Sequence, residues 1–208
     1  MTTLHGQSEW VIHFEPDQDI EVIGGDLDYG LLERLPASFD RFKAARHFTL
    51  QLESLSAAGK AMEAEWYFRA ALAEFQAFGE LFSSDLPNVS LKKIWERSEI
   101  SADLKQHELL SVLEQTRNLS LHTARLPCIV KDQNVICLPG GETNVTSLFI
   151  NAIHPDYDNR SSRLVEEHRL WFNRQTERLA AHHILREALF ISCVARTNFL
   201  SMNPDLLE

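Results

Sequence analysis

The segment RNLSLH at 117–122 places an arginine, an asparagine and a histidine within six residues. A histidine titrates near neutral pH and can transfer protons, whereas a guanidinium stays charged and binds phosphate oxygens through paired hydrogen bonds. An arginine closely followed by a histidine is not informative alone, since it recurs at three other places: Arg41/His47, Arg163/His168 and Arg178/His183. Of these arginines, only Arg117 is followed directly by asparagine, so RNLSLH is the candidate for phosphate chemistry.

Arg117 interrupts an apolar stripe of a predicted helix, because positions three and four residues apart share one helix face. The other members of this stripe are Leu110, Leu113, Leu121 and Ala124. Two interpretations remain open. The side chain can extend to solvent or pair with a helix carboxylate such as Glu114, or it can bind phosphate at an interface.

Asn118 and His122 are four residues apart and therefore neighbours on a helix surface. The asparagine amide could hold one nitrogen of the histidine ring, which would fix the tautomer and leave the other nitrogen free. Arg117 and His122 are separated by about 140° around a straight helix, so one chain cannot easily direct both at one atom. Two copies related by a twofold axis could supply complementary halves, which predicts a homodimer.

Other constellations that could do chemistry are weaker. His107-Glu108 opens like a zinc-protease motif, but Ser111 stands where the second histidine is required. The pair His182-His183, with His168 and Cys193, could bind a metal only if folding brought them together, and packing is the simpler interpretation. We therefore expect no metal and no cofactor.

Charge and cysteine content narrow the class of protein. The net charge is −10, but residues 1–33 hold eight acids and no lysine or arginine, which leaves 22 acids and 20 bases in the rest. That remainder could present a local basic surface. The three cysteines, an odd count without CxxC spacing, favour free thiols. The start lacks signal-peptide features and no long apolar run occurs, so we expect a cytoplasmic protein that contacts neither membrane nor DNA.

The spacing of apolar residues predicts mostly helices. We expect one from about Ser38 to Gly59, an alanine-rich one over 61–82, one beginning near Ser101 and ending at Pro127, and a long one over 162–200 that is bent or broken. Trp66 and the neighbouring aromatic residues are expected in the core. Two apolar runs around the KDQN sequence predict a hairpin with Cys128 opposite Cys137. Short β-branched runs at 10–14 and 20–23 predict strands.

The expected fold class is mainly α, a helical bundle of about four to five helices with a small β-hairpin insertion and a short N-terminal β arm. We divide the chain into an acidic arm over 1–37 and a helical domain over 38–208, with the insertion at 126–159. The arm has two open interpretations. It can shield the site when RNA is absent, or it can be a solvated edge that improves solubility.

A helical bundle with Arg-Asn, three further residues and His near a helix end resembles the HEPN superfamily. The resemblance covers about 39–125 and 160–200, and only RNLSLH in it is specific. It implies a metal-independent endoribonuclease of a defence or toxin-antitoxin system. It also implies that His122 is the general acid or base, Arg117 stabilises phosphate charge and Asn118 orients the site. RNA, a second copy of the chain and an antitoxin or regulatory protein are the implied partners.

Two features depart from the family pattern. Ala124 occupies the position where HEPN toxins controlled by a nucleotidyltransferase often carry tyrosine, and a minimal HEPN bundle explains neither the acidic arm nor residues 126–159. Many HEPN domains only bind partners. The alternative function is therefore a non-catalytic helical interaction module that uses the RNLSLH face for dimerisation.

Overall fold

The computed structural model describes residues 30–122, 128–137, 141–152 and 166–207. Within these ranges the chain is mainly helical and has one small antiparallel sheet, as predicted. A short 3-10 helix, Gly30–Arg34, precedes the first α-helix. The seven α-helices of the described ranges are α1 Pro36–Ala57, α2 Ala61–Asp85, α3 Val89–Arg97, α4 Glu99–Gln106, α5 Glu108–His122, α6 Glu166–Arg178 and α7 Ala181–Ser201.

Helices α1 and α2 form an antiparallel hairpin. Pro36 stands in the first turn of α1, where its missing N–H costs no hydrogen bond. The hairpin turns at Gly59, whose φ of +70° is a left-handed conformation that glycine adopts without steric cost. The predicted stop at Gly59 is therefore confirmed, and the helix begins slightly before the expected Ser38.

The prediction of a single helix that begins near Ser101 and ends at Pro127 is wrong in its first half. The segment is divided at His107 between α4 and α5, and α4 already begins after Ser98, as α3 begins after Asn88. The expected end at Pro127 lies outside the described residues. The backbone N–H of Leu91 donates to Asn88 Oδ1 at 2.8 Å, and that of Ser101 donates to Ser98 Oγ at 3.1 Å. Ser101 is therefore inside α4 rather than an N-cap. The predicted break in the last segment is confirmed, since α6 ends at Arg178 and α7 begins at Ala181.

The predicted hairpin between Cys128 and Cys137 is also wrong. Cys128–Cys137 is one strand, β1, which pairs with β2, Gly141–Ile150. Cys128 is opposite Ile150, and Cys137 is opposite Gly141, so the two cysteines stand at opposite ends of one strand. The KDQN segment lies within the ladder, where the Thr146 hydroxyl donates to Asp132 Oδ1 at 2.7 Å across the pair.

Strand β2 packs against α1 and α7 and so attaches the hairpin to the bundle. Its last three residues, Leu148, Phe149 and Ile150, are buried. They extend a core in which α2 is central, since Phe68 and Leu72 belong to one apolar cluster and Phe78 and Phe82 to a second. One core prediction fails, because Trp66 is 61% exposed. The predicted strands at 10–14 and 20–23, the rest of the acidic arm up to residue 29, and the loop after residue 152 lie outside the described residues.

Candidate functional site

The RNLSLH segment forms the last turns of α5. Its backbone is helical through His122, so Arg117, Asn118 and His122 occupy one helix, as the sequence predicted. Over five residues an α-helix rises about 7.5 Å and turns about 140°, which separates Arg117 from His122 along and around the axis. The side chains of Asn118 and His122 lie outside the described part of the structure, whereas that of Arg117 is described and half-buried.

The face of α5 that carries Arg117 borders a cavity. Leu110, Leu113 and Arg117 all line it, which agrees with the predicted stripe. Among the described side chains of α5, those of Leu109, Val112, Leu113 and Thr116 are buried. This buried face overlaps the stripe at Leu113 and is otherwise turned slightly around the helix from it. Arg117 is therefore at the margin between the core and the cavity. Glu114, which we considered as its ion-pair partner, lines the same cavity and is exposed.

The cavity has a volume of about 370 Å³, which is within the range of small-molecule sites. Five helices contribute to it, and its outer part reaches the surface, because Glu80, Lys105 and Glu114 are exposed. The walls are largely apolar. Their main apolar members are Leu72, Phe75, Trp95, Leu104, Leu110 and Leu113.

Arg196 of α7 is the most unusual residue of this cavity. It is only 7% exposed, and its guanidinium lies over three aromatic rings, at 4.7 Å from the centroid of Phe78, 5.2 Å from Phe82 and 5.7 Å from Trp95. Nη1 donates to the backbone oxygen of Ser192 at 3.0 Å and to the Ser192 hydroxyl. Burial lowers the pKa of Arg196 to about 10, so it is still a cation at neutral pH.

A glycine lets α2 approach this guanidinium. A Cβ at Gly79 would lie 3.3 Å from Arg196 Nη2, a closer contact than most real Cβ atoms make. Glycine inside a helix costs about 1 kcal/mol relative to alanine. The close approach of Arg196 accounts for its presence in the middle of α2.

The exposed side of the cavity carries charges of both signs. Lys105 of α4 and Arg117 of α5 are the cations there, and Glu80 and Glu114 are the acids. The amide nitrogen of Gln76 donates to Glu80 Oε1 at 2.7 Å, so this carboxylate already has a neighbour on its own helix. Together with Arg196, the described residues that line the cavity include three cations and two acids.

The adjacent histidines that we considered as metal ligands form a different cluster at the start of α7. Arg186 donates to a carboxylate oxygen of Glu53, and His182 Nε2 lies 3.8 Å from the other. Burial, with the nearby His183 and Arg186, lowers the pKa of His182 to about 3, so this contact is not an ion pair at neutral pH. Burial and Arg186 lower the pKa of His183 to about 4. Within the described ranges, no three His, Cys, Asp or Glu side chains are grouped closely enough to hold a metal ion.

The cysteines whose side chains are described are free thiols. Cys193 is fully buried, and burial raises the pKa of Cys128 to about 12. A thiol that stays protonated at neutral pH is a poor nucleophile.

Sequence reasoning did not select Arg196. The sequence does set this arginine apart, because it is the only charged residue between Glu187 and Asp205. A single cation within a long apolar helix face needs compensation from another part of the fold.

The chain matches no protein-family model, and no curated protein or solved structure is significantly similar to it. Among the described helices, none has the length and apolar character needed to cross a membrane.

Proposed function

We propose that this protein is a metal-independent endoribonuclease of HEPN type that acts as a homodimer. The observation that carries the proposal is the position of RNLSLH on the last turns of a helix in a mainly helical bundle, with Arg117 on a face that shares a cavity with Lys105 and Arg196. Cations grouped in this way suit the phosphates of RNA. A role in defence or as a toxin with a protein antitoxin is part of the same proposal.

The proposed chemistry divides between two chains. His122 of one protomer takes the proton from a ribose 2′-hydroxyl or donates one to the leaving oxygen, and Arg117 of the other stabilises charge on the phosphate. Asn118 orients the site. The angle between Arg117 and His122 on α5 favours this arrangement over one in which a single chain supplies both groups.

The first test is cleavage of a mixed RNA pool in EDTA by the wild-type protein, by His122→Ala and by Arg117→Ala. We expect EDTA-resistant cleavage that leaves cyclic-phosphate ends and is lost in both folded, dimeric variants. His47→Ala and Arg97→Ala are the matched controls, because these residues are exposed on α1 and α3 and do not line the cavity. Cleavage that is absent in the wild type, or equal in all five proteins, would favour the interaction module.

A mixing experiment tests the shared site. His122→Ala and Arg117→Ala, each inactive, are unfolded together and refolded as a mixture. Heterodimers then contain one intact composite site, and about a quarter of the wild-type activity should return if subunits assort randomly. No recovery, in a mixture shown to contain heterodimers, would place both residues of a site in the same chain and contradict the twofold arrangement.

A further inference from the structure

Arg196 is a buried cation that has no carboxylate partner in the described part of the chain. Within the described residues, its contacts are the hydrogen bonds of Nη1 to Ser192 and the three aromatic rings. Nε is buried without a hydrogen-bond partner there, and no acceptor within the described ranges meets Nη2. The positive charge is therefore held in place by groups that do not neutralise it.

Such an arrangement is costly for a structural residue. A buried charge without a counterion destabilises a fold by several kcal/mol, and a well-packed apolar side chain of similar volume usually does better. Contacts with aromatic faces return about 2 kcal/mol when the cation is desolvated, which does not match that penalty. A negatively charged group that reaches the guanidinium would supply the missing compensation.

The cavity gives such a group access. Nη2 lies beside Gly79, and both Gly79 and Arg196 line the cavity that opens past Lys105. A side chain at position 79 would occupy the space next to Nη2, and the glycine keeps that space open. The leucine and phenylalanine walls are suited to an apolar body attached to the charged head.

We propose that this cavity binds a small organic anion, a carboxylate or phosphate carried on an apolar body, with the oxyanion at Arg196 and the apolar part against Leu72, Phe75 and Leu104. Lys105 and Arg117 add positive charge near the opening and attract the ligand. The inference shares this cavity and its three cations, Lys105, Arg117 and Arg196, with the proposed ribonuclease. It does not rest on RNA cleavage, because it concerns binding to the free protein.

Binding to the cavity is tested with two amphipathic anions, octanoate and octyl phosphate. Octanol is the uncharged analogue, and inorganic phosphate is the charged group without an apolar body. Isothermal titration calorimetry and thermal unfolding of the full-length protein, without RNA, measure the affinity and the shift in Tm. We expect at least one of the two amphipathic anions to bind and raise the Tm, and octanol to bind more weakly by about tenfold or more, since a charge-assisted hydrogen bond contributes about 1.5–3 kcal/mol. The head that binds more tightly identifies the natural one.

Arg196→Met removes the charge and keeps the size of the side chain. We expect it to lose about tenfold or more in affinity while the unliganded protein unfolds at the same or a higher temperature than the wild type. A residue that serves stability alone would show the opposite, a clear fall in Tm. Arg186→Met is the matched control, because Arg186 is on the same helix, pairs with Glu53 and does not line the cavity. It should bind the anions normally.

Gly79→Ala tests the binding of the anion beside Arg196 while the arginine is kept. This variant is the test of the proposal if Arg196→Met does not fold. Its Cβ should displace the guanidinium and reduce the affinity severalfold, while alanine favours the helix. The inference is overturned if neither amphipathic anion binds the wild-type protein at millimolar concentration, if octanol binds as well as they do, or if Arg196→Met and Gly79→Ala bind like the wild type.

Discussion

Glu187 is a carboxylic acid in the interior of the bundle, and its substitution by glutamine should change how stability depends on pH. The residue is 1% exposed, and neither carboxylate oxygen has a hydrogen-bond partner in the described part of the chain. Burial disfavours the charged form and raises the pKa of Glu187 from 4.5 to about 8. In the unfolded chain the side chain is in water and has its ordinary pKa.

The sign follows from proton linkage. Between pH 4.5 and pH 8 the folded state holds a proton on Glu187 that the unfolded state has released. The stability that this proton contributes is complete below the unfolded pKa and is lost as the pH rises through the folded one. Each pH unit in that window lowers the free energy of unfolding by about 1.4 kcal/mol, so the stability contributed by Glu187 should fall by about 2 kcal/mol between pH 6.5 and pH 8.

His182 and His183 act in the opposite direction at lower pH. Their pKa values in the folded state are lowered to about 3 and about 4, so the stability they contribute is complete above pH 6.5 and is lost as the pH falls below it. Glu187→Gln keeps both histidines, so the difference in stability between this variant and the wild type at each pH isolates the contribution of Glu187.

Calorimetric or urea unfolding at several pH values in this interval measures the effect. Glu187→Gln cannot ionise, so its stability should lack the fall of about 2 kcal/mol, which corresponds to roughly 5 °C in Tm for a chain of this size. Glu99→Gln, at an exposed position at the start of α4, should keep the wild-type profile. If Glu187→Gln loses stability over this interval as steeply as the wild type does, burial does not hold the proton on Glu187 and the reasoning fails.

Two further predictions test the local structure. Gly59→Ala should destabilise the protein by about 1 kcal/mol. The cause is backbone strain alone, because φ is +70° and no atom lies within 4 Å of the new Cβ. Unchanged urea unfolding would contradict the left-handed turn. Phe68→Ala should lower the free energy of unfolding by about 3–5 kcal/mol, because the side chain is buried. Trp66→Ala should lower it by less than about 1 kcal/mol, because that position is 61% exposed. Equal losses of stability in the same assay would contradict the orientation of α2.

The mainly helical architecture could be predicted because apolar spacing and stop residues are local signals. Gly59 ended α1 as expected, and the long final segment divided as expected into α6 and α7. The division of residues 89–122 into three helices was missed, although Asn88 and Ser98 are residues that commonly begin helices. We expected a helix to begin near Ser101, and apolar periodicity alone does not fix the first residue of a helix.

The error in the hairpin has a different cause. The polar sequence KDQN looked like a turn, but polar residues are equally compatible with the exposed part of a two-stranded ladder. Lys131 and Asp132 are exposed there, while in the adjoining pairs at the Cys128 end of the ladder Leu148, Phe149 and Ile150 are buried against the bundle. Strand pairing depended on which residues the helices cover, and that information is not local.

The candidate site shows the same division between local and tertiary information. Arg117 became a candidate because it precedes asparagine and interrupts a stripe on its own helix, and the structure places Leu110, Leu113 and Arg117 along one cavity. Arg196 acquires its significance from residues on other helices, since Gly79 makes room for it and Phe78, Phe82 and Trp95 surround it. A guanidinium held by aromatic faces and a serine keeps its charge and has no acid to neutralise it within the described chain. Because stability alone would favour an apolar residue at this position, the retained cation is better explained by an anion that arrives from outside.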